Sequence, residues 1–182
     1  MIAKAQKKQI DLYITGLDLS SAFDTINREE LISILTKIVD KDALRMIRLL
    51  LSNTSLDIKM KGASTEPFDS NIGSPQGDAI SGVLFNIYLE DALRRVRAEL
   101  NKDNIHIEHD YTCSSSLPQE MIYADDSDYP ITDTTKQQEI IAATYRVLPE
   151  RNLKVNASKT EYTHIRRDRM AKRAQTGFSP WR

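Results

Sequence analysis

The sequence predicts an α/β or α+β chain with a sheet backed by helices, and two observations support this. Short β-prone runs alternate along the chain with longer segments whose apolar residues recur at helical spacing. The 182 residues, 40% of them hydrophobic, suit one domain or one piece of a larger one and are enough to bury a core.

The elements follow in order. "QIDLYITGLDLS" places Leu12, Ile14, Leu17 and Leu19 in a strand that ends near Asp18. "NREELISILTKIV" opens at Asn27 with Glu30 three residues on, a capping-box-like start, and carries Leu31, Leu35, Ile38 and Val39 at helical spacing. Asp24 is an alternative cap for the same helix. "KDALRMIRLLL" is a second helix through Leu44, Ile47 and Leu51. "SLDIKMKGAS" alternates and turns near Gly62, a hairpin whose return strand ends around Phe68.

"IGSPQGDAIS" is rich in breakers, and a long helix follows from about Ala79 to Leu100 with Ile80, Leu84, Ile87 and Val96 along one side. Residues 101–119 are polar and read as a loop. "EMIY", a turn at "ADD" and "SDYPI" form a second hairpin. "TTKQQEIIAATYRVL" is helical and stops near Pro149. "LKVN" and "EYTHI" read as two short strands joined by "ASKT".

Net charge is −1 and the sequence pI about 6.3, which disfavours a protein that binds nucleic acid over its whole surface. Basic residues concentrate at the ends. Lys4, Lys7 and Lys8 stand at the start, and Arg166, Arg167, Arg169, Lys172, Arg173 and Arg182 face only Asp168 at the other end. The plain reading of that tail is a solvated end. No apolar run is long enough for a bilayer, and no secretory signal stands at the start. The single cysteine, Cys113, fits a reducing, intracellular compartment, in the nucleus or the cytoplasm.

The stretch "MIYADDSDYP" sets Asp125 and Asp126 side by side on a turn, with Asp128 close behind and no basic residue among them. A solvated loop is the plain explanation. Asp18 also ends a strand, however, 107 residues earlier. If the two strands neighbour each other, three carboxylates meet at one rim and disfavour one another's ionisation. A pair of Mg²⁺ ions, hard cations that take oxygen ligands, resolves the conflict and suits phosphoryl or nucleotidyl transfer.

"LDLSSAFDTINREELI", "IGSPQGDAISGVLFNIYLEDALRRV", "YADD" and "NLKVNASKTE" stand in the order of the reverse-transcriptase palm motifs. From about residue 10 to residue 167 the chain resembles the reverse-transcriptase domain of a non-LTR retrotransposon. The resemblance implies an α+β palm-like antiparallel sheet backed by helices, with fingers and thumb largely missing. It also implies a division into a basic segment at 1–9, a palm at 10–167 and a basic tail at 168–182.

On this resemblance Asp18, the Leu19 carbonyl, Asp125 and Asp126 are metal ligands for two Mg²⁺ ions, with Mn²⁺ as a substitute. Phe23 packs under the incoming sugar and rejects a 2′-hydroxyl; ordinary core packing is its plain alternative. Gln76 and Gly77 support the template base and nucleotide pocket, although the same loop also reads as a simple helix start with Asp78 at its dipole. Lys159 protonates or neutralises the departing pyrophosphate, unless it is only a solvated lysine. Tyr123 is read as structural, with a ring lining the primer end as the alternative, and Asp128 as solvent-facing rather than a ligand; the three histidines share no ligand spacing. RNA template, DNA primer and dNTP are the implied partners, with no membrane.

Three features depart from the family pattern: Gly82 where a proline is frequent, Pro130 in a return strand and Pro149 in a helix. Three readings therefore stand. The chain is an RNA-directed DNA polymerase palm, a non-enzymatic remnant that keeps the fold, or an RNA-making palm. Phe23 disfavours the last.

Overall fold

The computed structural model describes residues 2–52, 54–74, 79–103, 105, 107 and 119–166. Gln76, Gly77, His106, His109, Cys113 and the tail at 168–182 lie outside the described residues. Helix α1 (Ile2–Lys8) leads into β1 (Leu12–Leu17), followed by α2 (Arg28–Leu35) and α3 (Lys41–Leu51). Four two-residue strands come next: β2 (Ser55–Leu56), β3 (Lys59–Met60), β4 (Ala63–Ser64) and β5 (Phe68–Asp69). The long helix α4 (Ser81–Lys102) precedes the hairpin β6 (Met121–Tyr123) and β7 (Asp126–Ile131). Helix α5 (Thr134–Val147), a 3₁₀ turn (Leu148–Arg151) and β8 (Glu161–Ile165) complete the described chain.

The main sheet has the order β6-β7-β1-β8, and every neighbouring pair is antiparallel. The fold is therefore α+β rather than α/β: a palm-like sheet backed by helices. In β7, Ser127, Tyr129, Pro130 and Ile131 are buried, whereas Asp126 is exposed and Asp128 half-buried, so the alternation holds from Asp126 to Tyr129. Strand β1 matches this, with Thr15 and Leu17 buried and Gly16 and Asp18 less so. Period-2 alternation thus sends one set to the helices and the acids to the other face. Gln137 of α5 donates to Thr15 Oγ1 at 2.6 Å, tying that helix to the buried face. No described helix is long and apolar enough to cross a membrane.

Local chemistry sets the helix ends. Asn27 is the N-cap of α2 and accepts from the Glu29 and Glu30 amides, so the cap is Asn27 and not Asp24. Asp40 and Asp133 cap α3 and α5 in the same way. Helix α2 stops at Leu35, short of Ile38 and Val39, and Ile38 is exposed. Helix α4 buries Leu84, Tyr88, Leu89, Leu93, Val96 and Leu100, the i, i+3/i+4 stripe of a core-facing helix.

Two expectations change. "LKVN" is not a strand; Val155 makes only an isolated bridge with Leu19, because the chain turns at 157–159 before β8 begins. Pro130 sits in an internal strand without breaking it. Strand β6 pairs no further than Asp128, so at Pro130 only the β1 side needs a ladder.

A polar network joins α2, α4 and the 3₁₀ turn. Arg151 reaches Glu30 Oε2 at 2.8 Å and Asp91 Oδ2 at 2.6 Å. The Tyr88 hydroxyl lies 3.0 Å from both Glu30 Oε2 and the Arg151 carbonyl. Burial, then the adjacent Glu30, pushes the Tyr88 phenol up to about 12. An unfolded tyrosine ionises near pH ~10, so the stability from neutral Tyr88 is complete below that pH and lost as pH rises toward 12. The stability difference between wild type and Tyr88→Phe is expected to shrink across this window in urea titrations. A difference that stays constant with pH contradicts the assignment.

Candidate active site

Strands β1 and β7 pair with Leu17 opposite Ser127 and Gly16 opposite Asp128. Asp18 directly follows the last of these pairs on one strand and Asp126 directly precedes it on the other, with Asp125 next along the turn. The strand ends that carry the acids thus adjoin, although Asp125 comes 107 positions after Asp18 in the chain.

The hairpin loop is only Ala124 and Asp125, since Tyr123 pairs with Asp126. The first residue of so short a loop needs a positive φ, a position glycine usually takes. Ala124 has φ 53°, a strained value for a side chain with a Cβ. That turn lifts Asp125 to the tip and starts β7 at Asp126. The "ADD" turn of the sequence is therefore one residue shorter than expected.

Around Asp18 the main chain is tightly tied. Ser20 donates to the Lys154 carbonyl and Asn156 to the Asp18 carbonyl, each at 2.8 Å. Those bonds flank the Leu19–Val155 bridge, so the N–H and C=O of Leu19 point away from Val155, toward the β7 side. Beyond Val155, Asn156 Oδ1 accepts from the Ser158 amide, and the Asn156 carbonyl accepts from Lys159 and Thr160. This turn carries Lys159 over Asp18, where its Nζ lies 3.3 Å from Oδ1 and 3.2 Å from Oδ2. Asp18 Oδ2 is buried and has no hydrogen-bond donor, although it lies at ion-pair distance from the lysine.

Asp128 is not solvent-facing. It is half-buried, and its Oδ1 would stand 3.1 Å from a Cβ added to Gly16. Glycine in this strand lets the carboxylate fold over β1, toward Glu161, which pairs with Gly16 on the other side. Burial, then the charges of Asp126 and Glu161, pushes the Asp128 carboxyl up from its usual range. Asp128 and Glu161 enlarge the acidic face, and Gly16 was the signal in the sequence that could have located them.

Among the described residues, no group of three or more aspartate, glutamate, histidine or cysteine side chains is gathered closely enough to hold a metal ion by itself. Asp18 already has an ammonium partner in Lys159, so the carboxylates there are not drawn into a closed cradle. The donor chemistry still suits a hard cation. It comprises an orphaned buried carboxylate oxygen, two further aspartates across the register and an outward carbonyl, leaving substrate oxygens to complete the shell.

Phe23 is half-buried and stacks on Phe85 of α4, ring centroids 4.3 Å apart. It lines a groove of about 480 Å³ with Gly82, Asn86, Ile122, Tyr123 and Ala124. Tyr123, read from the sequence as structural, is 83% exposed at this groove because it lies on the edge strand, one face of which meets no helix. A Cβ on Gly82 would meet nothing within 4 Å, so glycine there reflects no crowding.

The class these observations define is that of an α+β fold built on an antiparallel palm-like sheet, with acids where two adjoining strands meet the turn. Residues 2–178 match the family described as reverse transcriptase (RNA-dependent DNA polymerase), and the chain belongs to that family. Its fold is similar to apo telomerase from Candida tropicalis truncated from its C-terminal domain, with a TM-score of 0.68 at 14% identity over 90% of this chain. It is likewise similar to telomerase from Candida tropicalis in complex with a TWJ fragment of telomeric RNA, with a TM-score of 0.64, 16% identity and 90% coverage. The chain spans 33% of the first structure and 27% of the second.

Proposed function

We propose that this chain is the palm of an RNA-directed DNA polymerase of the non-LTR retrotransposon type, spanning residues 10–167 with basic flanks at 1–9 and 168–182. It would join a dNTP to a DNA primer on an RNA template: the primer 3′-oxygen bonds to the α-phosphorus, the bond to the β-phosphate bridge breaks, and pyrophosphate leaves. The observation that supports the reading is the β1–β7 pairing, whose last pair, Leu17 with Ser127, adjoins Asp18 on one strand and Asp126 on the other.

Asp18, the Leu19 carbonyl, Asp125 and Asp126 would hold divalent cations, Mg²⁺ or Mn²⁺. Such ions, when bound, favour the ionised 3′-hydroxyl and neutralise phosphate charge. Lys159 holds Asp18 in place, and with its side chain 65% exposed it is free to turn toward the leaving pyrophosphate. Phe23, braced by Phe85, forms the floor under the sugar. Gln76 and Gly77 support the template side.

A second reading, a remnant that keeps the fold without catalysis, draws on the lysine seated at Asp18 and the absence of a closed ligand cluster among the described residues. Primer extension on an RNA template with Mg²⁺ separates the two: extension supports the polymerase, and none at any Mg²⁺ or Mn²⁺ concentration supports the remnant. Phe23→Ala is expected to narrow the preference for dNTP over rNTP by about tenfold or more, read as the ratio of kcat/KM values. Unchanged sugar selection contradicts the role given to Phe23.

A further inference from the structure

Arg28 is the first residue of α2, the end of a helix at which the macrodipole disfavours a cation. Its guanidinium forms no ion pair with a carboxylate among the described residues. It donates from Nε to the Gly73 carbonyl at 2.8 Å, and from Nη2 to that of Ile72 at 3.1 Å. Nη1 reaches the Leu51 carbonyl at 2.7 Å, the Ser70 carbonyl at 2.6 Å and Thr54 Oγ1 at 3.1 Å. Burial works against the charge and lowers the basicity of the group, so these bonds must offset a real cost.

The acceptors come from the end of α3, the base of the β2–β5 pair and the segment leading to Gln76 and Gly77. That last segment is itself fastened to the loop carrying Phe23. Gly73 donates to the Ile26 carbonyl and Ser74 to the Phe23 carbonyl, each at 2.8 Å. Gly73 has φ 74°, and a Cβ there would lie 2.9 Å from both Cα and O of Asp24, so main chain rests directly on main chain. Arg28 holds the outer side of this contact and the Phe23 loop the inner side.

We propose that Arg28 is a positioning residue of the nucleotide pocket: it locks the 70–74 segment onto the Phe23–Ile26 backbone and so sets where Phe23 stands. The substrate named here rests on the polymerase reading, whereas the lock rests on the geometry alone. Lysine cannot substitute, because one ammonium with three donors cannot span five acceptors set in a fork.

The test uses the whole chain carrying Arg28→Lys, Arg28→Met or Gly73→Ala, with melting curves as the control for folding. Arg28→Lys should speed amide exchange in the 70–74 segment by about tenfold and leave β1 and β7 unchanged. It should also raise the KM for dNTP by about tenfold, with a smaller change in kcat. Gly73→Ala leaves the arginine intact and should reproduce both effects by lifting the segment from the inside. Exchange that is unchanged at 70–74, or raised equally throughout the sheet, overturns the lock. A loss in kcat with KM unchanged overturns the positioning role. If the wild type extends no primer, the polymerase reading fails instead, and the exchange pattern alone decides for or against the lock.

Discussion

Replacing Asp18 by Asn is expected to lower RNA-templated primer extension on the order of a thousandfold. The substitution keeps the shape of the side chain and removes its charge, so the loss reports the carboxylate and not packing. Its fold should survive. Among the described residues Asp18 pairs with Lys159, whose side chain is 65% exposed, and such a pair contributes about 1 kcal/mol at most. Asp125→Asn should show the same loss, because the proposed function has both carboxylates hold the divalent cations of one site. Single-turnover extension assays provide the measurement, with Mn²⁺-induced thermal stabilisation as an independent readout that both variants should lack. Extension retained within tenfold in Asp18→Asn removes the chemical role of this residue.

Arg151→Met is expected to be the most destabilising single change in the fold. Among the described residues, it takes the guanidinium from Glu30, which keeps only the Tyr88 hydroxyl, and from Asp91, which keeps only Arg95 at 3.4 Å. Breaking a fully buried pair in this way costs about 3–5 kcal/mol. Glu30 and Asp91 keep 34% and 29% of their side-chain surface in water, so solvent screening reduces this to about 2–4 kcal/mol. In a chain of this size that shifts the melting temperature by roughly 4–16 °C. Urea denaturation measures the change directly, and a loss below about 1 kcal/mol shows that solvent already screens the network. Combining Arg151→Met with Glu30→Gln should recover part of the loss, since one stranded charge is then gone.

Local chemistry was readable in advance. Asn27 and the "ADD" turn declared themselves through their own residues, because caps and turns answer to side chains within a few positions. The long helix and its buried stripe followed from period alone. The "LKVN" segment misled because its apolar residues serve a single bridge and the core, where packing rather than pairing decides. Asp128 misled because its burial depends on a glycine in another strand. Arg28 was overlooked, although a cation at the start of a helix conflicts with the dipole and so hints at a distant partner.

By itself, the sequence determined the caps, the turn between β6 and β7, the long helix with its buried stripe, and that acids stand at two strand ends. These outcomes depend on neighbours within a turn or two of chain. Only the tertiary structure decided that β1 lies between β7 and β8, that Lys159 rests on Asp18, and that Arg28 and Arg151 each bind segments dozens of residues away. Those contacts depend on which buried faces pair across the sheet, a choice made by the whole core at once and written in no single stretch of residues.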